Sequence, residues 1–358
     1  MKIQDSITIG VEIETTSKLN RTRLADHITA NSTIDIQDAG YTHRTTDHWK
    51  VCYDSSIITT RDFPEDAEIV SPILKGKEGM KQLKELTEVL ENSDQTKVNK
   101  STGLHIHFGL DGYWDDKGLT SDQKLRAMKN LMMMYTKYQI EIDSILAPSR
   151  RSTRWAMNLT GRHFHHNDEN MEDSISEDRL KSILKNWSRK MNKQNSIESL
   201  RAMIGTRYSV INLENWVSRG TIEFRQHQGT ESFEKISNWI NFLMGMIDRA
   251  TYEATRGKRI TYGNQSNGDQ KFNQIFKRKM KKSVFEFYLI GKTTSQILDQ
   301  MMADAFVQET IHQKYMDAVA KRAYIYNFAI INTDSEQEFI SSLIQYRFLI
   351  EITEKENH

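Results

Sequence analysis

The chain of 358 residues carries 49 basic and 48 acidic side chains, and 37% of it is hydrophobic. Charges this nearly balanced leave no global field to draw the protein to nucleic acid or an anionic membrane, and no apolar run reaches the ~18 residues that a bilayer span needs. The apolar content suffices for a core, which sets disorder aside for most of the chain, and at ~150 residues per domain the length fits two domains or one large catalytic core. The first residues lack the apolar stretch of a signal peptide. Cys52 is the single cysteine, which excludes a disulfide scaffold and a multi-cysteine zinc site and fits a reducing cytoplasm. Within Val51-Cys52-Tyr53 it reads as a small hydrophobe in a strand.

Residues 6–15 alternate with period 2, setting Ile7, Ile9, Val11 and Ile13 against Thr8, Gly10, Glu12 and Glu14, which predicts a strand. A polar stretch rich in Thr, Asp and His runs from there to a second short strand at 49–54. A third strand covers 67–73 and is closed by Pro72, which cannot donate to a ladder. Met80, Leu83, Leu86, Val89 and Leu90 set a helix over 77–92, and residues 104–108 alternate as another strand. A long helix is expected over 121–146, with Leu125, Met128, Leu131, Tyr135 and Ile142 on its stripe, and a further helix over 176–190. Strands at 208–213 and 221–227, joined by a turn around Arg219-Gly220, lead to an amphipathic helix from Phe233. The Gly- and Asn-rich residues 256–270 read as a linker, so the expected organisation is a catalytic domain 1–255, the linker, and a helical C-terminal extension 271–358. Several strands are joined without room for a crossover, which predicts an α+β fold with a mainly antiparallel sheet backed by helices.

Three of these strands share a peculiarity. Glu12 with Glu14, His105 with His107, and Glu223 with Arg225 and His227 each recur at every second position, and so fall on one face of their strand, ~6.6–7 Å apart. The opposite positions are apolar and belong to the side packed on helices. A wet sheet face of Thr, Lys, Ser and Gln is the ordinary alternative, and each pair alone reads as a solvated face or an ion pair. Here, however, the face holds groups that ligate hard cations or neutralise phosphate: carboxylates with imidazole suit Mg²⁺ or Mn²⁺, and Arg grips phosphate as a fork.

The ordered blocks GVEIET at 10–15, Asp54-Ser55-Ser56-Ile57, Glu68-Ile69-Val70-Ser71-Pro72, GLHIHFG at 103–109, Ser149-Arg150-Arg151, Tyr208 to Leu213 and GTIEFRQHQGT at 220–230 resemble the amidoligase family. This is a glutamine-synthetase-like group of carboxylate–amine ligases, frequent in bacteriophages and fungi; the resemblance spans residues 7 to about 250. It implies a sheet curved into an open half-barrel whose concave face binds ATP and two divalent cations. Glu12 and Glu14 match acids that divide between the two metal sites; Glu68 matches a ligand of one, and His105 with Glu223 match ligands of the other. His107 and Arg225 match contacts of the transferred phosphoryl group and substrate carboxylate, Asp54 a grip on the incoming amine, and Arg150 and Arg151 candidates for nucleotide phosphates or an acidic substrate. The third ligand of each metal site has no match.

The resemblance implies an ATP- and Mg²⁺-dependent ligase acting through an acyl phosphate, in the cytoplasm of a host if phage-encoded. The partners expected are a small-molecule or peptide carboxylate and an amine, with the oligomeric state open. The alternatives are a metal-dependent hydrolase using the His-x-His pair and carboxylates, and a non-catalytic binding protein on the same scaffold. Gly291-Lys292-Thr293 lacks the leading glycine of a P-loop, since position 286 is Glu. Arg162 to Asp168 reads as a surface loop, Lys277 to Lys282 as a solvated helix face, and Met132 to Met134 as core filler.

Overall fold

The computed structural model describes residues 6–42, 44–139, 142–143, 146–150, 153–160 and 177–261. β1, Thr8–Ser17, is the spine of the sheet. Its alternation drives Ile9, Val11 and Ile13 into the core at 3%, 0% and 0% exposure, while Glu12 and Glu14 point to the other side. The chain then forms α1, Arg21–Ala30, whose first turn is capped by the Asn20 side chain accepting from the Arg23 N–H. β2, Ile36–Gly40, follows. Both lie in the stretch that reads from sequence as a polar connection. α1 buries only Leu24, Ala25 and Ile28, too few apolar residues for a stripe to stand out.

β3, Trp49–Cys52, β4, Glu65–Val70, and the two-residue β5, Leu74–Lys75, precede the helix α2, Gly76–Glu91. β6, Thr96–Lys97, and β7, Gly103–Gly109, lead into α3, Leu110–Asp116, and α4, Ser121–Lys137. α4 starts from a capping box in which Thr120 and Gln123 satisfy each other's backbone N–H groups. It ends at Lys137, and after a turn at Tyr138 the backbone is helical again at Gln139, Ile142 and Asp143, the Ile142 N–H donating to the Tyr138 carbonyl at 2.8 Å, so the expected long helix is interrupted and its stripe continues through buried Ile142. α5, Glu177–Asn192, α6, Ile197–Ile204, β8, Ile211–Asn212, a one-turn α7, Trp216–Arg219, β9, Thr221–Gln228, and α8, Phe233–Thr255, complete the described chain. The expected turn at Gly220 is the left-handed end of α7, with φ of 62°. A side chain there would meet the Asp111 Cβ at 2.5 Å, so glycine is required twice over.

The strands form one open sheet in the order β2-β3-β4-β1-β7-β9-β8, with β5 and β6 paired to the ends of β1. Every pairing is antiparallel except β2 with β3. The fold is α+β with a mainly antiparallel sheet, as expected. α4 and α8 pack on each other, and α8 also meets α2. Phe224 of β9 meets Phe108 of β7 edge-on at 5.8 Å and Tyr135 of α4 at 5.7 Å. Such large side chains each contribute ~1.5–3 kcal/mol of burial, and they fix which side of the sheet faces the helices.

Pairing between β7 and β9 slips between Leu104 and Ile106. Ile106 faces Phe224 and Leu104 faces His227, so Arg225 and Gln226 together oppose His105 in a β-bulge. The extra residue reverses the alternation, and this corrects one expectation. His227 does not share a face with Glu223 and Arg225; it is fully buried, with its ring 5.3 Å from that of Trp239 in α8. Among the described residues no helix is long and apolar enough to cross a membrane. The extension 271–358, most of the linker, Arg151, and the segments Arg162 to Asp168, Lys277 to Lys282 and Gly291 to Thr293 lie outside the described residues.

Candidate active site

The sheet register brings the charged positions of four strands, and one amide of a fifth, together. Glu12 of β1 stands opposite His105 of β7 and Val70 of β4, while Glu14 stands opposite Glu68. His107 stands opposite Glu223 of β9, which in turn faces Asn212 of β8. Because residues paired across a sheet share a face, one alternation in each strand suffices to gather these groups on the side away from the helices.

Glu12 is the hub. One of its oxygens accepts from His105 Nδ1 and the other from His107 Nε2, both at 2.9 Å. His105 turns its Nε2 to Glu14 at 3.3 Å, and its Nδ1 also lies 3.5 Å from Glu223. Glu14 is held on its other oxygen by the Gly103 backbone N–H at 2.6 Å. Glu223 accepts from Arg225 through one oxygen and from the Asn212 amide, at 2.7 Å, through the other. Asn212 is the member that sequence reasoning missed. Its only signal is its even spacing from Val210 and Tyr208, and a neutral amide attracts no notice until its partner is known.

Electrostatics divide the face. Burial alone would raise the Glu12 carboxyl, but the charges and hydrogen bonds of His107 and His105 hold it well below the usual carboxylate range. Glu223 is likewise lowered against its burial, by Arg225 first and then His107. Burial disfavours the His107 cation, yet the Glu12 carboxylate lifts its pKa to about 9. Glu68 behaves oppposite to these: burial raises it well above its ordinary value, and the charges of Glu12, Glu14 and Asp54 raise it further.

Three overlapping sets, Glu12 with His107 and Glu223, Glu12 with Glu68 and His105, and Glu14 with Asp54 and Glu68, each offer three ligand atoms within 4.8 Å of one another. Carboxylate and imidazole donors suit hard divalent cations, and Glu68 makes no ion pair among the described residues, so the donor set fits such ions. Asp54 therefore sits in an acid triad, its Oδ1 also accepting from the Ser56 N–H at 2.7 Å.

Other residues fall elsewhere. Arg150 is 3% exposed and donates through Nη2 to the Arg225 carbonyl at 2.6 Å, so it clasps the bulge. It lies so close over Gly103 that a Cβ there would come within 2.8 Å of the guanidinium. Two residues of β3 extend the face beyond β4: Cys52, opposite Glu68, whose thiol burial pushes up to about 11, and the buried Lys50, whose Nζ donates to the Arg44 carbonyl at 2.6 Å.

One face of an open sheet thus gathers acids, imidazoles and a guanidinium. A family model described as "putative amidoligase enzyme" matches residues 5–247, and the chain belongs to that family. No curated protein matches the sequence significantly. Among solved structures the chain is similar to a bifunctional glutathione synthetase from Pasteurella multocida, at 14% identity and a TM-score of 0.36, over 95% of this chain and 52% of that one. It is also similar to glutamate–cysteine ligase from Francisella tularensis in complex with AMP, at 12% identity and a TM-score of 0.37, over 99% of this chain and 94% of that one. The chain thus spans about half the length of the first. Likenesses this distant carry no function across.

Proposed function

We propose that the protein forms an amide bond between a carboxylate and an amine at the expense of ATP, with Mg²⁺ or Mn²⁺, through an acyl phosphate. The observation that supports this reading is the single face on which Glu12, Glu14, Asp54, Glu68, His105, His107 and Glu223 converge beside Arg225. Cations held by the carboxylates and His105 would neutralise the phosphoryl oxygens and align them for transfer.

The chain's own groups account for the remaining steps. His107, cationic at neutral pH, and Arg225 face the phosphoryl group as it passes from ATP to the substrate carboxylate oxygen and ADP departs. Arg150 and Asn212 hold that end in place, the first by the Arg225 carbonyl and the second by Glu223. Asp54 completes the acid triad that the sequence leaves short of a ligand. Its oxygen not held by Ser56 is the one free to draw an ammonium and take its proton. The amine nitrogen then attacks the acyl carbon, phosphate leaves, and the amide remains.

The test is incubation of the purified protein with Mg-ATP and pools of amino acids, polyamines and peptides. ADP and a product of condensed mass are expected together. Turnover without nucleotide would replace this reading with metal-dependent hydrolysis.

A further inference from the structure

Beyond the phosphoryl end of the face, two chain segments run side by side. The Met157 N–H donates to the Tyr208 carbonyl at 2.7 Å, and the Val210 N–H returns to the Met157 carbonyl at 2.8 Å. This ladder brings Trp155 against Tyr208, with ring centroids 5.2 Å apart and the planes at 74°. A guanidinium lies over each ring: Arg154 over Trp155 at 4.6 Å, and Arg207 over Tyr208 at 5.0 Å. Arg207 also donates to the Tyr208 hydroxyl at 3.0 Å. The two rings are half-buried and the two arginines exposed.

The cluster is tied to the site by geometry. The Trp155 carbonyl accepts from Arg225 Nε at 3.5 Å, while the other end of the same guanidinium binds Glu223. The Thr153 hydroxyl accepts from the Trp155 and Ala156 N–H groups at 3.2 and 3.1 Å, which sets the turn that presents the indole. Tyr208 stands an even number of residues from Asn212, the partner of Glu223.

Isolated cation–π pairs on a surface are common and worth little. Two aromatic rings capped by two planar guanidiniums, placed one residue from the group assigned to the phosphoryl, have a more specific chemistry. A flat heteroaromatic base can slide between ring and guanidinium and stack on both, while the guanidiniums attract the phosphates that follow it. Because a ribose and phosphates separate a base from the terminal phosphoryl group, its platform belongs beside Arg225 and not on it.

We infer that Trp155 and Tyr208, with Arg154 and Arg207 above them, form the platform that stacks the nucleobase of the nucleotide substrate. This rests on the ATP-dependent reading above. Calorimetric titration of the full chain in Mg²⁺ with ATP and with inorganic tripolyphosphate, which has the phosphates but no base, tests both separately. Trp155→Ala and Tyr208→Ala are expected to weaken ATP on the order of 10- to 100-fold and leave tripolyphosphate unchanged, with Trp155→Phe restoring most of the loss. Arg154→Ala, at an exposed position, should weaken ATP several-fold and keeps the test available should an aromatic variant misfold. If ATP binds the wild type and no variant weakens it, or if ATP and tripolyphosphate weaken alike, the platform is wrong and the ligase reading stands. If the wild type binds neither compound, both fall.

Discussion

The ligand face has two ends that treat the same chemical group in opposite ways. At the end where β1 meets β7, β9 and β8, carboxylates meet cations or donors of the chain itself: Glu12 has His105 and His107, and Glu223 has Arg225 and Asn212. Their acidity is strengthened against their burial. At the end where β1 meets β4, Glu68 crowds against Glu14 and Asp54 with no ion pair of its own among the described residues, and it is weakened as an acid by burial and by its like-charged neighbours. A self-neutralised end with a guanidinium and an imidazolium at its rim is ready for an anion, as a phosphoryl group is. An end of crowded acids is short of positive charge and is completed by a cation. On the proposed ligase reading, one face would sort the two components of a metal–nucleotide complex.

The largest effect should come from breaking the self-neutralised end. Arg225→Ala is expected to lower the rate of the proposed ligase roughly 10²- to 10³-fold, because charge developing on the phosphoryl group then loses a fixed partner, and Glu223→Gln a similar amount, because it weakens a cation donor and the carboxylate that holds Arg225. Steady-state ADP release read beside the near-ultraviolet dichroism of each variant checks this. A rate within threefold of wild type for either would remove this end from the chemistry.

Next in size is a pH effect on the metal-free protein. His107 has a folded pKa of about 9 against an unfolded value near 6.5, so the fold binds its proton more tightly. Its contribution is complete below pH ~6.5 and is lost as pH rises through 9. The ceiling is about 3 kcal/mol, less some screening because the side chain is 18% exposed. Urea melts in a chelator between pH 6 and 10 should show this fall, and His107→Gln should flatten it. Adding Mg²⁺ or Mn²⁺ at a hundred times its dissociation constant should then stabilise the wild type by ~2.7 kcal/mol, an increment that Glu68→Gln reduces.

How much of this is legible in sequence depends on how each residue meets its neighbours. β1 declares itself because a half-buried strand with one apolar side must alternate, and Glu12 and Glu14 stand out against that pattern. β7 does so for the same reason. α1 and β2 stay hidden, since a helix burying three residues and an edge strand of polar ones leave little periodicity. The misplacement of His227 is more instructive: the bulge at Arg225–Gln226 depends on Arg150 holding the Arg225 carbonyl from far along the chain and on Gln226 reaching Tyr135 and Gln139 in the core. No local pattern encodes an insertion stabilised from that distance. The acid triad escapes for a similar reason, because Asp54 reaches Glu14 and Glu68 only once the loop between β3 and β4 is folded.

The smallest expected effect separates the two ends most cleanly, because it turns on sign. Replacing a carboxyl group by an amide of the same shape should have opposite consequences in the chelated protein. Glu68→Gln relieves a carboxylate standing directly across the strands from Glu14, where like charges cost up to about 1 kcal/mol, so the melting temperature should rise by roughly 2–4 °C. Glu12→Gln replaces one of the two oxygens that face His105 and His107 with an NH2 donor and removes the charge from the other, and the loss of a charged hydrogen-bond partner makes the melting temperature fall by a similar or somewhat larger amount. Saturating Mg²⁺ should reverse the ranking of Glu68→Gln and wild type, since only the wild type retains the full donor set. If both substitutions shift stability the same way without metal, the two ends are not electrostatically distinct and the sorting of anion from cation across the face is lost.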